Sequence, residues 1–370
     1  MGRYRRLTLK RCKKKGSLDR KISYKCGRRK QIRMFTPRTF ISQINHQQRT
    51  FGHEDIQQRR SIFEEWSDSV CQIFMGGDPI GSGFLFAHNY ILTNAHVVMD
   101  YRSNSDTFLI KFACGISRNV YTEGRVVTFY FGYDPFGDWL DYALLELCRD
   151  AILPAPLLKF YAPPPKQGQT CIIGYPSERG KRAEYSHINE LELYDADNVN
   201  IPKILIYPTS MLHGSSGSPG FVDRNLVFMH TGGFPYGDKL SEIRFGCGIP
   251  LSLVTCNILL WITQNEDDSQ LFLRFISEAF RHSPIPLVAD YLRYLVDAFP
   301  TMPGLPCKTE RLCRVLRQNI SAENLQALMN QLAGDTYDEK LRWILSELQD
   351  TCDKHHDSED PECGTPMEID

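Results

Sequence analysis

Between residues 56 and 262, short runs rich in Val, Ile, Phe, Tyr and Thr alternate with turns of Gly, Pro, Asn and Asp. The runs are Val70–Phe74, Gly83–Phe86, Tyr90–Thr93, Phe108–Phe112, Val126–Tyr130, Tyr142–Leu147, Cys171–Gly174, Ile204–Thr209, Gly220–Val222, Leu226–His230 and Phe245–Leu251. Short β-branched and aromatic runs bounded by turn residues read as strands, and many of them in sequence leave a sandwich or a pair of barrels as the compact solutions. A mainly β fold is therefore expected over 56–262.

The period then changes. Phe272, Phe275, Ile276, Ala279 and Phe280 recur at helical spacing, as do Leu287, Val288, Tyr291, Leu292, Leu295, Val296 and Phe299. Leu312, Val315 and Leu316 mark a third helix, and Leu325, Leu328, Met329 and Leu332 a fourth, with Ser321 as N-cap and Gly334 as its stop. Leu341, Ile344, Leu345 and Leu348 mark a fifth, opened by the capping box Thr336-x-x-Glu339. The expected organisation is a basic disordered tail (1–55), a β domain (56–262), an α-helical C-terminal segment (268–352) and an acidic disordered tail (353–370). The helical segment reads as a packed lid or a homo-oligomerisation surface, with a recognition module as the alternative.

The net charge of −1 conceals a strong asymmetry. Residues 1–40 hold sixteen Lys and Arg against the single acid Asp19, a net +15, which leaves 27 basic and 43 acidic groups, a net −16, in the remainder. Lys13, Lys14 and Lys15, and Arg28, Arg29 and Lys30, have the density of a nuclear-import or nucleic-acid patch. No apolar stretch follows this basic start, so a secretory signal is not expected. No apolar run approaches the ~20 residues a membrane-spanning helix needs, so no membrane partner is expected. Without a secretory route the twelve cysteines are expected as reduced thiols. They form neither a CxxC pair nor a Cys/His cluster of zinc spacing, so neither a metal nor a cofactor is expected.

Three segments in the β region carry chemistry. Gly81-Ser-Gly-Phe-Leu-Phe-Ala-His-Asn-Tyr-Ile-Leu-Thr-Asn-Ala-His96 ends a strand pair at a histidine. Trp139-Leu-Asp141-Tyr-Ala-Leu-Leu-Glu-Leu sets an acid at the mouth of an apolar strand. His213-Gly-Ser-Ser216-Gly-Ser-Pro-Gly frames a serine with glycines. A serine hydroxyl near neutral pH needs a base to take its proton, an imidazole titrates in the right range, and an acid fixes its tautomer. The order His96, Asp141, Ser216 is that of the chymotrypsin-type triad. The amides of Gly214 and Ser216 are the candidate oxyanion hole. Each segment alone has a blander reading: a loop, a turn or a strand cap. His88 reads as a surface residue. Asp134 and Asp138 lie near Asp141, but only Asp141 abuts the apolar run. His230 is either a cleft residue or a packed core residue.

With these residues in place, the chain resembles the trypsin-like serine proteases over about residues 65–262. Ile-Leu-Thr-Asn-Ala-His96, Asp141-Tyr-Ala-Leu-Leu and Gly-Ser-Ser216-Gly-Ser-Pro carry the resemblance, and with Met229-His-Thr-Gly-Gly-Phe they are most similar to the nuclear branch called "family with sequence similarity 111". The resemblance implies a two-barrel fold and an intracellular endopeptidase located in the nucleus, with the cytoplasm as the alternative. It further implies an association with DNA replication and repair, with single-stranded DNA or chromatin reached through the basic N-terminus, and with self-cleavage. Secreted relatives carry Cys where this chain has Val97 and Leu212, and Asp where it has Ser215, so activation by a freed N-terminal amine is not expected. By the family pattern Ser210 lies at the base of the substrate pocket, with Thr231, Gly232 and Gly233 as its wall. No acid lies between Pro208 and Ser216, and a neutral pocket implies a preference for aromatic or large apolar side chains. Two rivals stand beside the endopeptidase: a nucleic-acid-binding adaptor built on a protease scaffold, and an esterase, which the missing Gly-x-Ser-x-Gly elbow argues against.

Overall fold

The computed structural model describes residues 66–349 apart from 102–106, 115–117, 135–136, 149–151, 166, 177–179, 190–204, 210, 212, 236–243, 265–284, 299–308, 311, 314–315, 318–319 and 334–338. The basic patch, both terminal tails, the helix expected near 272–280, Gly334 and Thr336 lie outside the described residues.

Two closed antiparallel barrels of six strands each form the body of the chain. The first is built from β1 (Val70–Met75), β2 (Asp78–Ala87), β3 (Tyr90–Thr93), β4 (Phe108–Cys114), β5 (Arg118–Tyr133) and β6 (Trp139–Leu147), in the order β1-β2-β3-β6-β5-β4. The second uses β7 (Gln167–Gly174), β8 (Arg182–Asn189), β9 (Leu205–Thr209), β10 (Pro219–Val222), β11 (Asn225–Pro235) and β12 (Arg244–Pro250), in the order β10-β11-β12-β9-β8-β7. Closure leaves neither sheet with a free edge.

Many strands read as unbroken apolar runs because both of their faces are buried. Side chains alternate across a strand, so on β6 Ala143, Leu145 and Leu147 fill the first barrel while Leu140, Tyr142 and Leu144 join a second apolar cluster outside it. On β2, Leu85 points inward and Phe84 and Phe86 outward. In the second barrel Ile172, Val222 and Phe228 belong to the interior, whereas Cys171, Ile173 and Phe221 belong to the outer cluster. That outer cluster cements the barrels: Trp66, ahead of β1, stacks on Phe221 of β10 with ring centroids 3.9 Å apart.

Two elements differ from the sequence expectation. β8 has a largely polar sequence, Arg-Ala-Glu-Tyr-Ser-His-Ile-Asn, and becomes a strand because it pairs along the whole of β7, from Gln167↔Asn189 to Gly174↔Arg182. Residues 251–264 form a helix, α2 (Leu251–Gln264), which follows the short α1 (Ala95–Val98) in chain order. Its run of Val, Thr and Ile has no polar face because it is covered all round, with Leu251, Val254, Ile258, Leu259, Leu260 and Ile262 buried.

α3 (Ile285–Ala298) packs on α2, and α4 (Ala322–Ala333) and α5 (Glu339–Gln349) pack on α3 and on each other. Leu287, Val288, Tyr291, Leu292 and Leu295 of α3, Leu328 and Leu332 of α4, and Leu341, Ile344 and Leu348 of α5 belong to the same apolar cluster as the outer faces of the barrels. The Ser321 side chain accepts the Asn324 N–H at 3.3 Å, the N-cap expected for α4.

A buried polar chain runs through this contact. Tyr142 of β6 donates to Asn257 Oδ1 (2.7 Å), Asn257 Nδ2 donates to the Tyr294 hydroxyl (3.4 Å), and Tyr294 donates to Asp134 Oδ2 (3.1 Å). Asp134 also shapes the turn before β6, accepting the Asp138 N–H on Oδ1 at 2.8 Å. Beside it, Tyr161 donates to Asp290 Oδ2 at 2.9 Å. Leaving a buried acceptor without its donor costs about 1–3 kcal/mol, so Tyr294→Phe should lower the unfolding free energy by about that much. Urea denaturation of the full chain measures it, and a loss under about 0.5 kcal/mol, below the net value of an ordinary hydrogen bond, would show that the contact carries no weight.

Candidate active site

His96 lies on α1, directly after β3. β3 is fully buried, and Thr93 and Asn94 behind it are anchored: Thr93 Oγ1 donates to the Ser82 carbonyl (2.7 Å), and Asn94 Nδ2 donates to the Asp141 carbonyl (2.8 Å). Thr-Asn-Ala ahead of the histidine is therefore a local scaffold that ties β3 to β2 and β6.

Asp141, on β6, is only 3% exposed. Its Oδ1 accepts the His96 backbone N–H (3.1 Å), and its Oδ2 faces His96 Nδ1 (2.6 Å) and accepts the Thr231 hydroxyl (2.6 Å). With Nδ1–H given to the carboxylate, the Nε2 of neutral His96 carries the lone pair that a general base needs. His96 keeps about a third of its side chain exposed.

Ser216 sits in the turn before β10. Gly214 and Gly217, at φ +92° and +88°, give that turn a left-handed course that other residues rarely adopt. The Ser216 hydroxyl donates to the Thr231 carbonyl at 3.4 Å. Thr231 thus touches both sides of the site, the nucleophile candidate through its carbonyl and the acid through its hydroxyl. The space around the turn is close. A side chain on Gly217 would meet the Ser82 carbonyl at 2.1 Å, and one on Gly174 would meet Ser218 Oγ at 1.8 Å. Gly174 is what makes room for the serine at position 218.

The structure therefore brings His96, Asp141 and Thr231 into one hydrogen-bonded group and joins Ser216 to it through Thr231. Gly214 lies in the turn, half-buried, and Thr231, Gly232 and Gly233 run along β11. A side chain on Gly232 would meet nothing within 4 Å, so the space in front of it is open. Ser210 lies outside the described residues. His88 and His213 are exposed, and Asp134 is buried in its turn and pairs with Tyr294 instead of His96. Among the described residues, no group of three or more His, Cys, Asp or Glu is arranged to hold a metal. Sequence reading missed Ser82 and the bridging role of Thr231. A serine between two glycines and a threonine after His230 carry no signal until the barrels are docked.

His230, on β11, is 3% exposed, with Nδ1 2.5 Å from the Tyr207 hydroxyl. Burial, with the nearby His96 adding to it, pushes its pKa down from 6.5 to about 4. It is a packed, neutral histidine beside the site.

This architecture, two barrels with the His, Asp and Ser segments meeting at their junction, is the trypsin-like peptidase fold. Residues 81–227 match the trypsin-like peptidase domain family. Over 200 residues the chain is 28% identical to exfoliative toxin A of Staphylococcus aureus, a match that spans 49% of this chain and 66%, just under two thirds, of the toxin. Similar solved structures include the MamO protease domain of Magnetospirillum magneticum (15% identity, TM-score 0.40, 53% of this chain and 98% of that one). Deg5 is another (19% identity, TM-score 0.41, 55% of this chain and 93% of that one). So is a serine endoprotease from Yersinia pestis (20% identity, TM-score 0.38, 53% of this chain and 63% of that one). A serine peptidase is the class that the family match supports.

The His230 shift has a pH consequence. Its folded pKa lies below its unfolded one, so between about 4 and 6.5 the unfolded chain binds the extra proton and stability falls as pH falls. The full effect is on the order of 3 kcal/mol, lost progressively from pH 6.5 down to about 4. Urea unfolding at pH 7 and pH 4.5 should show this loss in the wild type and a reduced loss in His230→Gln; equal losses would mean that His230 is not buried in the neutral form.

Proposed function

We propose that the chain is an intracellular serine endopeptidase acting on protein substrates. Ser216 attacks the scissile carbonyl, His96 Nε2 takes the hydroxyl proton and returns it to the leaving amine, and Asp141 holds the imidazole tautomer and stabilises the imidazolium. The Gly214 and Ser216 amides receive the charge of the tetrahedral intermediate. One observation carries the reading: a buried carboxylate takes hydrogen bonds from His96 at two atoms and from Thr231, whose own carbonyl holds the Ser216 hydroxyl.

The pocket of Ser210, Thr231, Gly232 and Gly233 takes aromatic or large apolar side chains. Supporting this are the absence of Asp and Glu from 208–216 and the open space at Gly232. The resemblance to the nuclear "family with sequence similarity 111" branch and the +15 segment at 1–40 support nuclear placement, contact with single-stranded DNA or chromatin, cleavage of DNA-associated proteins, and self-cleavage. The same basic segment favours the second reading, a nucleic-acid-binding adaptor with little or no turnover.

A fluorophosphonate probe should label the wild type and leave Ser216→Ala unlabelled, and that variant should lose peptide turnover by at least about a thousand-fold. Undiminished cleavage by Ser216→Ala would end the serine mechanism. An unlabelled wild type with salt-dependent DNA affinity would favour the adaptor. In a peptide library, cleavage should be faster after Phe, Tyr and Leu than after Lys or Arg; the reverse order overturns the pocket assignment.

A further inference from the structure

Ser82 belongs to the first barrel, yet both its hydroxyl and its N–H donate to the turn that carries Ser216. It is 0% exposed. Its hydroxyl donates to the Gly214 carbonyl (2.6 Å) and accepts the Tyr175 N–H (2.9 Å). Its N–H donates to the Ser216 carbonyl (2.9 Å), and its carbonyl accepts the Thr93 hydroxyl (2.7 Å). Gly217 lies against that carbonyl so closely that no other side chain fits.

These bonds act on the three consecutive peptide planes around the nucleophile. Ser82 Oγ fixes the plane holding the Gly214 carbonyl, and Ser82 N–H fixes the plane holding the Ser216 carbonyl. Between them, the Ser215 carbonyl accepts the Ser218 N–H at 3.0 Å. In a trans peptide the C=O and N–H point in opposite directions. With the Ser215 carbonyl turned into the turn, the Ser216 N–H is turned out of it. Gly214 is the weak point of this arrangement, because a glycine at positive φ has little torsional preference of its own. The Ser82 hydroxyl is the external restraint that sets it.

We infer that Ser82 is a positioning residue for the oxyanion hole: its hydroxyl preorganises the Gly214–Ser216 turn from the opposite barrel. This rests on the serine peptidase reading and adds to it a residue that never touches substrate. Preorganised donors stabilise the charge that develops in the transition state more than they stabilise the bound substrate. Loss of the hydroxyl should therefore act on kcat and leave KM nearly unchanged.

The test compares full-length wild type, Ser82→Ala and Ser82→Cys. For Ser82→Ala, kcat should fall roughly ten- to a hundred-fold, less than the loss of a direct oxyanion donor, with KM within about two-fold. Ser82→Cys keeps the shape with a weaker donor and should fall between the two; it also carries the comparison if the alanine variant does not fold. A kcat equal to that of wild type in either variant, or a loss confined to KM, overturns the inference. Backbone hydrogen exchange gives a readout that needs no turnover. Protection across 213–218 should drop in Ser82→Ala while protection in β4 and β5 is retained, and unchanged protection at 213–218 overturns the inference even if the wild type proves inactive. A wild type that neither labels with fluorophosphonate nor cleaves peptides would count against the peptidase reading alone.

Discussion

The buried carboxylate of Asp141 is the constraint around which the rest of this structure is arranged. A charge removed from water is costly unless it is met by donors, and three donors meet it here. Two come from His96, in the same barrel, and the third from Thr231, in the other. Satisfying one charge thus fixes the imidazole and registers the two barrels against each other. The position of Ser216 follows, because Thr231 receives the Ser216 hydroxyl through its carbonyl. The candidate site is therefore a seam between the barrels, closed where Thr231 of the second holds Asp141 of the first.

Ser82 and Lys181 extend the same seam. Lys181 leads into β8 of the second barrel, but its ammonium donates to the carbonyls of Ser67 and, at 2.7 Å, Ala113 in the first. Burial lowers its pKa to about 8, with the nearby Asp68 working against that shift, so the price of the tie is a weaker base. Backbone carbonyls serve as acceptors in both cases: Gly214 for Ser82, Ser67 and Ala113 for Lys181. Such bonds depend on where the chain passes more than on which side chain sits there, and a seam built from them constrains geometry while leaving little local pattern.

That explains what could be read in the sequence and what could not. The strand runs were legible because strands buried on both faces are continuously apolar; Tyr90–Thr93 was expected and observed with the same limits. The three chemical segments were legible because each is local, with glycines or a capped strand end around one reactive side chain. β8 was not, since its strand character comes from β7, and α2 was not, since its few polar residues are spread around every face and leave only a weak helical period. The bonds that complete the site join residues 90 and 132 positions apart, Thr231 with Asp141 and Ser82 with Gly214. No spacing rule reaches that far.

β6 shows how the helical segment enters this arrangement. Alternation on a strand sends Asp141 and Tyr142 to opposite faces. Asp141 faces His96, and Tyr142 faces α2, donating to Asn257. Asn257 reaches Tyr294 of α3, and Tyr294 returns to Asp134, at the turn that delivers the chain into β6. The strand bearing the acid is consequently held from behind at two points, by Tyr142, the residue directly after Asp141, and by the turn ahead of it. α2 and α3 are therefore mechanically continuous with the acid side of the site, and a displacement of α3 must be taken up either in the Asp134 turn or in the register of β6 against β3 and β5. Closed barrels resist a change of register, and Asp134 and β6 are tied through Tyr294, Asn257 and Tyr142, three hydrogen bonds that end at the residue next to the carboxylate that orients His96.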